Sequence, residues 1–168
     1  MSGLRILGIG SPSGDDQAGW LTVDALLAGG VQTTADEILI QKLDRPGATL
    51  IPLLDGAAWV ILIDAMQSHS PVGRIRRFGT EDWPAYRHGL SSHGFGVLDA
   101  LALARELDSL PCRIDLYGIE IGSANPGEPA RNEIHAAAQQ LARHIAADLS
   151  AALPRAIRAP DSIPTVRN

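Results

Sequence analysis

Short apolar runs alternate along this chain with longer stretches whose apolar residues recur at helical spacing. LRILGI over residues 4–9 reads as a buried strand. DQAGWLTVDALLAG over 16–29 reads as a helix with Ala18, Leu21, Val23, Leu26 and Leu27 on its apolar face, stopped by Gly29 and Gly30. EILIQKL over 37–43 predicts a second strand that ends at Asp44. After RPG, TLIPLL reads as a short helix whose regularity Pro52 limits. AWVILID over 58–64 stays apolar until Asp64 closes it, the pattern of a strand covered on both faces. VGRIRRF over 72–78 predicts a half-exposed strand near a sheet edge. A helix over 94–107, a strand over 113–121 and a long alanine-rich helix over 129–152 follow, the last with Ile134, Leu141, Ile145 and Leu149 along one stripe.

Strands alternating with helices predict a three-layer α/β/α sandwich on a mostly parallel, five-stranded sheet, of the phosphorylase- and hydrolase-like kind. Residues 1–153 form one domain by this reading, and the tail over 154–168, with three prolines, is expected to be loosely packed or flexible. Ligands of such folds bind beyond the carboxyl ends of the parallel strands. Asp15 and Asp16 fall there after the first strand, Asp44 after the second and Asp64 after the third. His93 opens the helix that follows the loop GLSSHGFG.

Composition narrows the function classes. The chain has 168 residues, 45% of them hydrophobic and 20% charged, with a net charge of −5, so a general nucleic-acid surface is not expected. No run approaches the roughly 20 apolar residues of a membrane helix. MSGLRILGIG lacks the apolar core of a signal peptide, so the cytoplasm is the expected location, and a monomer the expected state. A single cysteine, Cys112, rules out an internal disulfide and a cysteine zinc site; standing at the start of an apolar segment, it reads as a buried core residue.

Gly8, Gly10 and Gly14 form a loose relative of the dinucleotide-binding fingerprint. Two features count against that alternative. A pyrophosphate seeks bare N–H groups at a helix N-terminus, where Asp15 and Asp16 already put negative charge. The ribose-binding acid should also follow about 20 residues on, and Asp44 comes later. One of the two aspartates reads as a helix N-cap; the other is left to point into the cleft. Asp64, a charge ending a buried strand, either caps the following AMQS or serves chemistry. His93 sits between Ser91/Ser92 and Gly94/Gly96, where a ligand can approach closely, whereas His69, His88, His135 and His144 read as solvated. Two carboxylates and an imidazole from three loops suit a divalent transition metal or general acid–base work. No G-x-S-x-G occurs, and Ser91/Ser92 lie too near His93 for a usual triad.

ILGIGSPSGDDQAG, VILIDAM and SSHGFGVLDAL, in this order, together with LYGIEIG, resemble the hydrogenase maturation endopeptidases, which process the large subunit of nickel–iron hydrogenases. The resemblance covers roughly residues 4–150. It implies an enzyme that removes a C-terminal extension from the large-subunit precursor after nickel insertion, with nickel supplied by the substrate and no permanently bound metal. By position, the residues it assigns to nickel and catalysis are Asp16, Asp64 and His93, with Asp44 also contributing. Three departures stand out: Ser11 where the family usually has Asn, a turn one residue shorter before Asp15, and Arg45-Pro46-Gly47 in place of a Gly-Gly-Thr type turn. Arg45 is therefore a candidate contact for a substrate carboxylate, beside Asp44. A non-catalytic maturation factor that binds the same precursor is the alternative.

Overall fold

The computed structural model describes residues 3–33, 37–83 and 96–153. In chain order these residues form β1 (Leu4–Gly10), α1 (Ala18–Ala28), β2 (Ile38–Asp44), α2 (Ile51–Leu54), β3 (Trp59–Met66), β4 (Ile75–Phe78), α3 (Val97–Glu106), β5 (Arg113–Glu120) and α4 (Asn132–Ala152). Single 3-10 turns, Gly14–Gln17 and Gly47–Leu50, lead into α1 and α2. The sheet order is β2-β1-β3-β5-β4. β2, β1, β3 and β5 are parallel, and β4 closes one edge antiparallel to β5. This is the α/β/α sandwich on a five-stranded, mostly parallel sheet that the pattern predicts.

The two faces of the sheet bury separate cores. Ile6, Ile61, Ile63 and Ile119 pack with Leu26 of α1 and with Ile134, Leu141, Ile145 and Leu149 of α4. Leu7, Leu62, Met66 and Leu116 pack on the other face with Leu50, Leu54, Leu98 and Leu101 around α2 and α3. Two glycines let α1 lie directly on the sheet. A Cβ on Gly8 would stand 2.4 Å from the Gly19 carbonyl oxygen, and one on Gly19 would stand 2.3 Å from the Ile9 oxygen and 2.5 Å from that of Ile63. Here backbone meets backbone, and no side chain fits between.

Several boundaries and burials differ from the sequence reading. β3 does not stop at Asp64: Ala65 and Met66 continue to pair with Ile119 and Glu120, so Asp64 lies inside the strand. β4 starts at Ile75, because Gly73 (φ 87°) turns the chain and donates its N–H to the Glu120 carbonyl. Leu27 is 45% exposed, since the buried stripe of α1 runs through Ala18, Thr22, Val23 and Leu26 and leaves it on the flank. Cys112 is exposed rather than buried: in the loop before β5, Pro111 turns inward and Cys112 outward. The helix around Pro52 is short and irregular as expected, a 3-10 turn over Gly47–Leu50 running into the four residues of α2, with Pro52 in the first turn where a missing N–H is tolerated. Among the described residues, no helix is long and apolar enough to cross a membrane. Residues 154–168 lie outside the described residues.

Candidate active site at the carboxyl edge of the sheet

The parallel register brings the ends of β1 and β2 level, Gly10 opposite Asp44, while β3 runs alongside β1 with Gly8 opposite Ile63. The turn that leaves β1 packs onto β3. Four of its backbone donors are bonded within the fold. Ser11 donates its N–H to the Asp16 carbonyl at 3.4 Å, Gly14 to Glu128 at 3.0 Å, Asp15 to Ser123 at 2.9 Å and Asp16 to Ser13 at 3.0 Å. A phosphate cradle needs such N–H groups open to the ligand. With these engaged, and with Gly8 committed to packing against α1, the glycine pattern is a helix–sheet contact and not a nucleotide site.

The adjacent aspartates divide. Asp15 is 1% exposed and points inward. Its Oδ2 accepts the N–H groups of Gly122 (3.0 Å) and Ser123 (3.3 Å), its Oδ1 that of Arg131 (2.9 Å), and the Arg131 Nε lies 3.5 Å away. It ties the first turn to the loop between β5 and α4. Asp16 is half-buried, and its Oδ2 accepts the Ser11 hydroxyl at 2.5 Å. The expected N-cap role is not what either does: neither the 3-10 turn nor α1 has a side-chain cap. The turn satisfies its donors through carbonyls instead, which leaves Asp15 for tertiary bonds and Asp16 at the edge.

Asp64 is fully buried, and its Oδ1 accepts the Ala65 N–H at 2.8 Å. By strand alternation it faces the side of the sheet that Leu62 and Met66 share with α3. His93 precedes α3 in sequence and lies outside the described residues, so the third member of the expected triad has no described position. Among the described residues, no three His, Cys, Asp or Glu side chains gather into a group that could hold a metal ion.

Asp44 and Arg45 stand at the outer end of this edge. Arg45 adopts φ 41°, its N–H donates to the Gly10 carbonyl at 3.1 Å, and its Nε meets Asp44 Oδ1 at 2.7 Å. The bond to Asp44 and the Asp44 charge, with Asp16 adding to them, raise the Arg45 pKa above its ordinary value. Its charge is therefore permanent in the working pH range.

Three polar anchors were not singled out from the sequence. Glu120, 2% exposed at the end of β5, accepts the Ser68 N–H (2.7 Å) and hydroxyl (2.8 Å), and so fixes the loop after β3. Asp115 accepts from Trp59 Nε1 (2.8 Å), Arg113 Nε (3.0 Å) and both Nε and Nη2 of Arg77. Burial pushes its pKa up, but the bonds from Arg77 and Trp59 and the arginine charges outweigh that and hold it below the ordinary value. Arg131 completes the hold on Asp15. The available signal was the alternation of charge inside RIDLYGIEI, since a charge in a buried strand implies a bonded partner. His144, exposed, near Asp148 at 3.5 Å and edge-on to Tyr117 at 6.0 Å between ring centroids, is the surface histidine expected.

The mostly parallel α/β/α sheet thus carries Asp16, Asp44 and Asp64 toward the carboxyl ends of β1, β2 and β3, and four N–H groups of its first turn are bonded within the fold. The HycI family model, described as hydrogenase maturation protease, matches residues 46–148, more than half of the chain. The chain belongs to the hydrogenase maturation protease family and is a peptidase by class. The match takes in Asp64 and His93 and leaves Asp16, Asp44 and Arg45 on its N-terminal side.

Solved structures share the fold. The hydrogenase maturating endopeptidase HybD from Escherichia coli superposes with a TM-score of 0.76 at 20% identity, over 89% of this chain and 93% of that one. An endopeptidase from Escherichia coli solved in solution gives 0.77 at 22% identity, over 89% and 93%. The NiFe hydrogenase maturation protease HybD from Thermococcus kodakarensis gives 0.65 at 25% identity, over 87% and 97%. No relative is found among curated protein sequences.

Proposed function

We propose that the chain is the endopeptidase that removes the C-terminal extension of a nickel–iron hydrogenase large-subunit precursor once nickel has been inserted. The observation that carries this reading is the division of the aspartate pair: Asp15 is consumed by the fold, while Asp16 stays at the sheet edge, in the turn that follows β1, the strand paired with the β3 that carries Asp64. Family membership supplies the reaction class. The metal is cargo of the substrate, and the acidic edge reads it. A cation relieves the repulsion between carboxylates that would otherwise face each other in a low-dielectric cleft.

Asp16, half-buried, meets the substrate first. Asp64, wholly buried on the neighbouring strand, and His93, which precedes α3 in sequence, complete the set that engages the nickel. Nickel held in this way orients a water against the adjacent peptide bond. The water oxygen bonds to the carbonyl carbon as the C–N bond breaks, and both of its protons end on the departing amine.

The test follows the intact mass of the large subunit when nickel-loaded and nickel-free precursor are each incubated with the protein. Loss of a C-terminal peptide from the loaded form alone, abolished in Asp16→Asn, is the expected result. Equal cleavage of both forms removes nickel from the mechanism. Binding of the precursor with no cleavage makes the chain a maturation factor without protease activity.

A further inference from the structure

Arg45 is placed with unusual care for an exposed residue. Its side chain is 73% exposed, yet its backbone is in the left-handed region at φ 41°. It also precedes Pro46, which favours an extended conformation for the residue before it. Only three described non-glycine residues have positive φ, and Arg45 is the one beside the carboxylate edge formed by Asp16 and Asp44. A conformation of this kind persists where the surroundings over-determine it. Two bonds do so here: the Arg45 N–H to the carbonyl of Gly10, the last residue of β1, and the Nε to Asp44. The following Gly47, also at positive φ (54°), completes the turn.

The consequence is a guanidinium gripped by its inner edge. Asp44 holds Nε, and Nη1 and Nη2 make no hydrogen bond to the described residues. Those two nitrogens form the end-on fork that matches a carboxylate in bidentate fashion. The fork stands within electrostatic reach of Asp16, so a position that seeks cations and one that seeks anions share the carboxyl edge of β1 and β2.

We propose that Arg45 is the specificity residue of this edge, clamping a carboxylate on the stretch of precursor that lies across the ends of β1 and β2. The inference rests on the processing reading above and deepens it: the substrate offers a cation to Asp16 and a carboxylate to Arg45. The carboxylate comes from an acidic side chain of the extension or from its chain terminus, and the two sources share one chemistry. Asp44 is the positioning residue that aims the fork.

The experiment measures the Kd and the cleavage rate of nickel-loaded precursor with the wild-type chain, Arg45→Gln and Arg45→Lys, each checked for an unchanged melting temperature. Two precursor variants separate the sources: one has the acidic residues of the extension changed to amides, and the other carries neutral residues appended so that the terminal carboxylate moves away. The expected result is roughly a tenfold weaker Kd for Arg45→Gln, with Arg45→Lys in between because an ammonium lacks the fork. One precursor variant should lose the same factor with the wild type and lose nothing further with Arg45→Gln. Binding by Arg45→Gln within twofold of wild type overturns the proposal, as do losses that multiply in the combined variants or precursor variants that both bind normally. If wild type binds but does not cleave, the processing reading fails while the Kd series still decides Arg45. If it does not bind, both fall.

Discussion

Changing Asp15 and Asp16 one at a time to asparagine should give opposite phenotypes from neighbouring positions. At Asp15 the carboxylate accepts three backbone N–H groups through both oxygens, at 1% exposure. An amide keeps one oxygen and presents an NH2 where the other stood, so at least one backbone N–H then faces a donor. Hydrogen bonds to a charged acceptor contribute about 1.5–3 kcal/mol each, and a buried donor left unmet costs about 1–3 kcal/mol. Losing one bond and diluting the charge on the rest puts Asp15→Asn at about 3 kcal/mol. For a domain of this size that lowers the melting temperature by roughly 6–12 °C. At Asp16 the Ser11 hydroxyl donates to a carboxylate oxygen, a bond that an Asn oxygen can still accept, and the residue is only half-buried. Its asparagine variant should melt within about 2 °C of wild type and fail in the processing assay. Thermal unfolding followed by circular dichroism, beside that assay, tests the pair. Equal melting temperatures for wild type and Asp15→Asn, or a loss at Asp16→Asn as large as that at Asp15→Asn, would refute the division of labour.

Other expectations follow from the same contacts. Asp115→Asn should destabilise at neutral pH. Because the folded-state pKa of Asp115 lies below its ordinary value of 3.8, its contribution is present above that value and is lost as pH falls through the folded pKa, so the gap between wild-type and variant melting temperatures should narrow below about pH 4. A gap that widens on acidification would contradict the sign. Gly19→Ala drives a Cβ into the carbonyl oxygens of Ile9 and Ile63, which cannot swing aside, and should cost about 3 kcal/mol or more in denaturant unfolding; Gly29→Ala, whose nearest contact is 3.3 Å, is the milder comparison. Cys112 should react with one equivalent of a thiol reagent in the native state without prior denaturation, and a protected thiol would show that the loop before β5 packs differently.

Much of the fold could be read from the chain because its strands are nearly pure apolar runs and its helices carry clear stripes; Ile134, Leu141, Ile145 and Leu149 are all buried as the period implies. The misreadings have local causes. Ala65 and Met66 follow a charge, so the strand appeared to end at Asp64, and only the pairing with β5 shows that it continues. Leu27 follows the helical spacing and Cys112 opens an apolar segment, but burial there is decided by which side of a stripe or turn they occupy. At the candidate site, the residue pattern marked the carboxyl edge through Asp15/Asp16, Asp44 and Asp64, and only the family resemblance, not the pattern, told Asp15 from Asp16. That distinction depends on Gly122, Ser123 and Arg131, which lie more than a hundred residues away in sequence. The left-handed backbone of Arg45 is likewise invisible without coordinates, since Arg-Pro ordinarily signals extended chain.

The Asp15 tether also orders events in time. It joins residues separated by 107 to 116 positions, the kind of long-range closure that comes late in folding because loop entropy opposes it until other contacts exist. β1 emerges first during synthesis, but the turn that presents Asp16 is not anchored until β5 and the start of α4 are in place. A nascent or truncated chain that ends before Gly122 thus has most of its sheet and lacks an anchored acidic edge. Anchoring of the acidic edge therefore waits for the segment from Gly122 to Arg131.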